Sequence, residues 1–439
     1  MRSHKVFYTI IVTVALGFTG CSTYQKQLLP TNTEIKALQK KHLSSTDRMI
    51  PAIKSLSDIA MDVISNNPDL IAMRQDLNIS DALVLSTGLL SDPSVGLSLG
   101  TPFGVSGLYN ALDMGINWSL ASLFTRSIEV DRAQYQRNAL LEQYRWQVRL
   151  RVANALVLAG RLYYYTLQNQ IIAKNLALSQ TLYAVTQTKT LLNDETALTQ
   201  NSRKAILLDT LDSKNKMDEQ IVSTRQEMNY LLGLPPSALF NIAPFEPLTL
   251  APDPEVLFDQ AIEKRHDLIA LKAAYESSDA FYRRNLLAQF PSFSIGVNWS
   301  RDTSKVHTIG PSVSFDLPLW NRNKGGIALS SALREKEKES YAAALARVQS
   351  DIVILSSTYT RTQQLYQRGK VETALNHKLE KRLHDAYKSS NISMSDYAIR
   401  IYEISAQEMW MSGLKQSLFE QQIALSLSSG SNEFLGEKK

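Results

Sequence analysis

Four short segments of the chain alternate apolar residues with small or polar ones, and they come as two pairs. The first pair sets Val95, Leu97 and Leu99 against Ser94, Gly96 and Ser98, then Leu112, Met114, Ile116, Trp118 and Leu120 against Asp113, Gly115, Asn117 and Ser119. The second sets Phe293, Ile295, Val297 and Trp299 against Ser292, Ser294, Gly296 and Asn298, then Ile309, Val313, Phe315 and Leu317 against Gly310, Ser312, Ser314 and Asp316. A period of two is a β-strand with one apolar and one polar face. The pattern predicts strands at about 93–100, 112–121, 291–300 and 308–317.

Elsewhere the pattern is helical. Helices at about 66–90 and 264–288 run into Asp92-Pro93 and Phe290-Pro291, and the residue before a proline disfavours helical geometry, so both stop there. Long helices follow the strands at about 126–190 and 323–388. Their seams repeat at coiled-coil spacing: Val148, Val152, Ala155, Ala159 and Leu162 in one, Val348, Ile352, Leu355 and Tyr359 in the other. Breaks at Asn193-Asp194-Glu195 and Ser389-Ser390-Asn391-Ile392-Ser393 turn each into a return helix, making two long hairpins.

The two halves are a duplication. Asp69-Leu70-Ile71-Ala72-Met73-Arg74 matches Asp267-Leu268-Ile269-Ala270-Leu271-Lys272, and Leu123-Phe124-Thr125-Arg126 matches Leu319-Trp320-Asn321-Arg322. The expected order is a signal peptide over 1–20, a tether over 21–54, a first repeat over 55–234 (hairpin 126–233) and an extended proline-rich connector over 235–252. A second repeat over 253–430 (hairpin 323–429) and a tail over 431–439 complete it.

Four strands are too few to close a barrel, which needs about eight. A dimer would supply eight and a trimer twelve. The strands are long enough to cross a bilayer when tilted. Their Gly, Ser and Asn face suits a water-filled lumen and their apolar face suits lipid. Phe124, Phe290 and Trp320, at the helical ends of the strands, stand where an aromatic girdle belongs. A soluble sandwich would need more strands than two distant hairpins provide.

The N-terminus reads as a targeting segment, so export from the cytoplasm is expected. Arg2, His4 and Lys5 precede an apolar run from Val6 to Phe18, too short to span a bilayer as a helix but fitting a signal peptide. Phe18-Thr19-Gly20-Cys21 is similar to a lipoprotein cleavage box, and Cys21 is the one cysteine of the chain, so it is the expected lipidation site. Ser22 after it favours the outer membrane. The formal charge of +5 over 439 residues is small, and no basic patch with interleaved aromatics points to nucleic acid.

No P-loop, HExxH or nucleophile-elbow motif is present, so neither an enzyme nor a cofactor is expected. His377 and His384 read as part of a solvated face beside Lys378, Glu380, Lys381 and Arg382 rather than as metal ligands. Asp194, Glu195, Asp385 and Asp396 lie near the hairpin tips. In a symmetric oligomer an inward carboxylate there becomes a ring that constricts the pore and favours cations, and Asp385 is the first candidate.

With its duplicated strand pairs and hairpins, the chain resembles the TolC family of outer-membrane efflux proteins. The resemblance also rests on Leu231-Leu232-Gly233-Leu234-Pro235-Pro236 and on Leu317-Pro318-Leu319-Trp320-Asn321-Arg322-Asn323-Lys324-Gly325-Gly326, the latter similar to heavy-metal members of the CzcC/CusC type. It implies a mainly α fold with membrane β: a homotrimer, each chain giving four strands to a 12-stranded barrel and two coiled-coil hairpins to a periplasmic helical barrel. It further implies a periplasmic adaptor at the tips and an inner-membrane pump of the RND type, with an ABC transporter as the partner if the duct serves type I protein secretion. The tip residues expected to meet the adaptor are Asn193, Thr196, Leu198, Asn391, Ile392, Ser393 and Met394. Neither tip carries the family's frequent glycine. A rival of another class is a lipid-anchored periplasmic coiled-coil scaffold with no channel.

Overall fold

The four alternating segments pair into a single antiparallel sheet in the computed structural model, which describes residues 53–104 and 106–431. The first repeat runs β1 (Ile53–Lys54), α1 (Leu56–Asn66), α2 (Pro68–Gly88), β2 (Ser94–Gly100), β3 (Ala111–Ser119), α3 (Ala121–Leu191) and α4 (Ala197–Leu231). The second runs β4 (Asn241–Ile242), α5 (Pro254–Lys264), α6 (His266–Leu287), β5 (Ser292–Arg301), β6 (His307–Asp316), α7 (Lys324–Lys388) and α8 (Met394–Ser429). The sheet order is β2-β3-β5-β6. Ser94 faces Asn117, Ser119 faces Ser294 and Ser292 faces Asp316. All four strand-to-helix junctions therefore lie at one end of the sheet.

Each predicted leading helix is in fact preceded by a separate one. The helices expected over 66–90 and 264–288 are α2 and α6, and α1 and α5, for which no helix was expected, precede them across breaks at Asn67 and Arg265. Asn67 is wholly buried. Its Oδ1 accepts from the Leu70 N–H at 3.1 Å, capping α2, and its Nδ2 donates to the Leu231 carbonyl at 2.9 Å. Arg265 makes no side-chain cap, but it donates likewise to the end of its return helix, to the Ser428 carbonyl at 3.2 Å. Both residues thus satisfy carbonyls at the end of their repeat's return helix, which would otherwise lack partners. The adjoining glycines complete the joint. Gly233 and Gly430 take left-handed φ of 64° and 68°, and a Cβ on them would strike the backbone of Asn66 and Lys264 respectively.

The proline-rich connector is not an extended linker. Residues Asn241–Ile242 pair in parallel with Ile53–Lys54, and Ala238, Phe240 and Ile242 are buried. Apolar residues between the prolines account for this: they have a core to enter. Phe245 sits 4.5 Å from the Phe419 ring and 4.9 Å from Tyr163, and Gly160 leaves the space into which the Phe419 ring fits. Farther along, the Tyr359 hydroxyl donates to the Leu248 carbonyl at 2.8 Å and accepts from the Leu250 N–H. The connector straps α3, α7 and α8 together.

The helical seams lie where the heptads put them. Val152, Ala155, Ala159 and Leu162 are buried on α3, and Val348, Ile352 and Tyr359 on α7. α3 and α4 form one hairpin, α7 and α8 the other, and α8 also packs on α3. Across that contact Arg161 holds Glu420 through Nε–Oε1 at 2.9 Å, an ion pair that raises the already high guanidinium pKa. At about 1.5 Å per residue the 71 residues of α3 extend about 107 Å. α3 begins at Ala121, earlier than the expected 126, so Arg126 lies inside it and donates to the Gly88 carbonyl at 2.6 Å. No helix among the described residues is long and apolar enough to cross a membrane.

Candidate functional site

Two places in the fold carry features a folded core does not explain: the sheet and the hairpin tips. The sheet is covered on neither face. Val95, Leu97 and Leu99 of β2 and Ile309, Val313 and Phe315 of β6 are exposed, as are Ile116 and Val297 between them. β2 and β6 each have one long edge with no strand partner among the described residues. In water such an arrangement is an aggregation template. It is stable only where its apolar face meets lipid or protein and its edges find strands.

The polar face is thin by construction. Gly115 pairs with Asn298 and Asn117 with Gly296 across β3 and β5. Each carboxamide lies flat over the glycine opposite it, where a Cβ would collide with it. The Ser312 hydroxyl reaches Asn117 Oδ1 at 3.4 Å. Two charged residues in the strands share this polar parity, Asp113 and Asp316, whereas Arg301 and His307 pair on the opposite face. At the far end the two loops meet, with the Tyr109 N–H donating to the Thr303 carbonyl and the Lys305 ammonium 3.5 Å above the Tyr109 ring. At the helical end Phe124, Phe290 and Trp320 are exposed, Trp320 by 90%.

The junction after β6 explains the Asn-Arg-Asn-Lys-Gly-Gly run. Arg322 and Asn323 both take positive φ. Asn323 Nδ2 donates to the Asn285 carbonyl at 2.9 Å and to its Oδ1 at 3.1 Å. A side chain at Gly326 would fill the space these amides use. Nothing in the local hydrophobic pattern marks Asn285, 38 residues before its partner.

The tips turn tightly without glycine. Asn193 takes φ 59°, and the Asp194 N–H closes on the Lys189 carbonyl at 2.8 Å. In the second hairpin it is Ser390, not Asn391, that takes the left-handed conformation, at φ 57°, and the Asn391 N–H closes on Ala386 at 2.9 Å. The return helices then start at side-chain caps: Thr196 accepts from the Thr199 N–H and Ser393 from the Asp396 N–H. Asp396 also accepts from the Ser393 hydroxyl at 2.7 Å, so this candidate pore carboxylate serves the helix cap. Asp385 and Asp194 are exposed; Glu195, Ile392 and Met394 are partly covered.

Arg203 of α4 donates to the Ser395 hydroxyl of α8 at 2.7 Å, so the two tips lie side by side. Tyr387 stacks on Tyr397 at 4.9 Å, with His384 6.4 Å from the same ring, and burial raises the Tyr397 pKa. Leu191 and Leu198 of the first tip stand 79% and 80% exposed. Among the described residues no group of His, Cys, Asp or Glu could hold a metal. Cys21 and the His377 side chain lie outside the described residues.

The arrangement of sheet and hairpins has close structural counterparts. CusC, in a structure concerned with transmembrane channel formation, matches with a TM-score of 0.69 at 15% identity, over 94% of this chain and 99% of that one. The fold is that of the TolC-type outer-membrane channels. The CmeC outer membrane channel of Campylobacter jejuni gives 0.69 at 13% identity, over 95% of this chain and 92% of CmeC. The outer membrane protein VceC of Vibrio cholerae gives 0.68 at 13%, over 86% and 96%. No family model and no curated protein sequence matches the chain. The likeness therefore lies in three-dimensional structure.

Proposed function

We propose that three copies of this chain join their sheets edge to edge into a twelve-stranded barrel in the outer membrane, and that their hairpins form one continuous duct beneath it. The observation that carries this reading is the sheet itself: two open edges, an apolar face exposed on every strand, and both hairpins rooted at the same end. Lipid would cover the apolar face, and neighbouring copies would pair the edges that a bilayer cannot leave open. The Gly, Ser and Asn face would line the water-filled bore.

The duct performs no chemistry in this reading. It is the exit of a tripartite efflux system, passing small molecules or metal ions delivered by an inner-membrane pump of the RND type through a periplasmic adaptor. Acylation at Cys21 would add an anchor in the outer membrane. The exposed leucines beside Asn193, with the turn residues Asn391, Ile392, Ser393 and Met394, offer the adaptor a contact surface, and Asp385 is the first choice for a carboxylate ring at the mouth.

Purified protein in planar bilayers tests the reading. It predicts discrete conductance steps from a heat-modifiable trimer, and trimers without conductance would support a scaffold instead. Deletion of the gene should raise sensitivity to drugs or metals. Loss of a secreted protein, with that sensitivity unchanged, would point to a type I secretion duct. Asp385→Ala should reduce cation preference and block by multivalent cations, and unchanged values in single-channel recordings would remove Asp385 from the mouth.

A further inference from the structure

A cavity of about 430 Å³ opens between α1, the middle of α3, the connector and the C-terminal end of α8, within the size range of small-molecule sites. Its inner wall is apolar, made by Val152, Leu156, Phe419 and Ile423, all buried. Met61 and Ile64 of α1 stand exposed at its rim. One cation faces it. Arg149 is half-buried, and its Nη1 donates to the Gly430 carbonyl at 2.5 Å. It has no carboxylate within ion-pair distance among the described residues, unlike Arg161 three turns along the same helix, which holds Glu420. Burial alone pulls the Arg149 guanidinium below its usual range.

The other polar groups of the cavity are already engaged. Gln422 bonds both the N–H and the carbonyl of Leu248, Ser426 donates to the Ser431 carbonyl, and Glu246 is held by Lys415 at 2.8 Å. A guanidinium has five N–H donors, and desolvating it without an anion is unfavourable. What the site lacks is a negative group attached to hydrocarbon.

We propose that this cavity binds a single-chain anionic amphiphile, a fatty carboxylate in kind, with its head on Arg149 and its chain along Val152, Leu156 and Ile423. Arg149 lies 28 residues into α3, about 42 Å along the helix from the sheet. With the sheet spanning the bilayer, as proposed above, the whole of that distance lies beyond the hydrocarbon core the sheet occupies. The ligand therefore arrives from the aqueous side rather than from the membrane.

The test is isothermal titration of dodecanoate, below its micelle concentration, into the full-length protein held in phosphatidylcholine nanodiscs. Saturable binding is expected, weakened at least tenfold by Arg149→Gln, partly kept by Arg149→Lys, and abolished by Ala153→Phe, which fills the cavity. Each variant is first shown to keep the assembly and conductance of the parent, so that failure of the channel reading is seen separately. Dodecanol or acetate binding as tightly as dodecanoate would overturn the proposal, as would equal binding by Arg149→Gln. Binding that appears only after removal of Asn432–Lys439, or only in dissociated subunits, would show that the chain itself or a second copy fills the cavity, and would also overturn it.

Discussion

At the scale of single residues, the joints between the short helices and the return helices depend on a few polar side chains whose partners are remote in sequence. Asn67 links α2 to the end of α4 across 164 residues, and Arg265 links α6 to the end of α8 across 163. Removing Asn67 strands a buried carbonyl and an N–H. Asn67→Ala should therefore destabilise the joint by about 1–3 kcal/mol, read as a lower melting temperature for the helical signal in circular dichroism. Gly296 is constrained more tightly still. A methyl there would meet the Ile116 carbonyl at 2.6 Å, and backbone held in a ladder cannot move aside. Gly296→Ala should cost about 1–3 kcal/mol as overpacking and lower the temperature at which the assembled protein dissociates on gels. Gly310 has open space around its Cβ position, and Gly310→Ala serves as the control expected to leave that temperature unchanged.

At the scale of elements, what was legible followed from periodicity. The period of two placed the four strands, because Val95, Ile116, Val297 and Val313 keep one parity over their whole length. The heptad seams placed Val152, Ala155 and Ile352 in buried positions. Local pattern failed where the deciding partner is distant. The break between α1 and α2 carries a local signal, Asn67 as cap followed by Pro68 at the first helical position, but the Leu231 carbonyl that holds Asn67 is 164 residues away. The connector looked free because its prolines prevent regular structure, whereas Phe240 and Phe245 pin it to the bundle. In the second tip the left-handed position is taken by Ser390, one residue before Asn391. Of the tip carboxylates, Asp396 has a local task that its sequence neighbourhood announces, Ser three residues before an acid at a helix start. Asp396→Ala should fray the first turn of α8 by about 1 kcal/mol, seen as faster amide exchange at Asp396 and Tyr397, whereas Asp385→Ala should leave exchange there unaltered.

At the scale of the molecule, the chain is half of an explanation. Its helices bury their seams, but its sheet leaves open edges and an exposed apolar face among the described residues, which in the proposed assembly other copies and a bilayer would cover. The twelve-stranded count comes from fold likeness, since the strands alone allow eight or twelve. Paired cysteines on the two open edges measure closure directly. With Cys21 left in place as background, one cysteine on β2 (Val95, Leu97 or Leu99) is combined with one on β6 (Ile309, Val313 or Phe315), and the pairs are oxidised in outer-membrane preparations. At least one pairing is expected to give covalent dimers and trimers in a ladder that ends at three. A ladder ending at two, one running past three, or bonds formed only within single chains would contradict it.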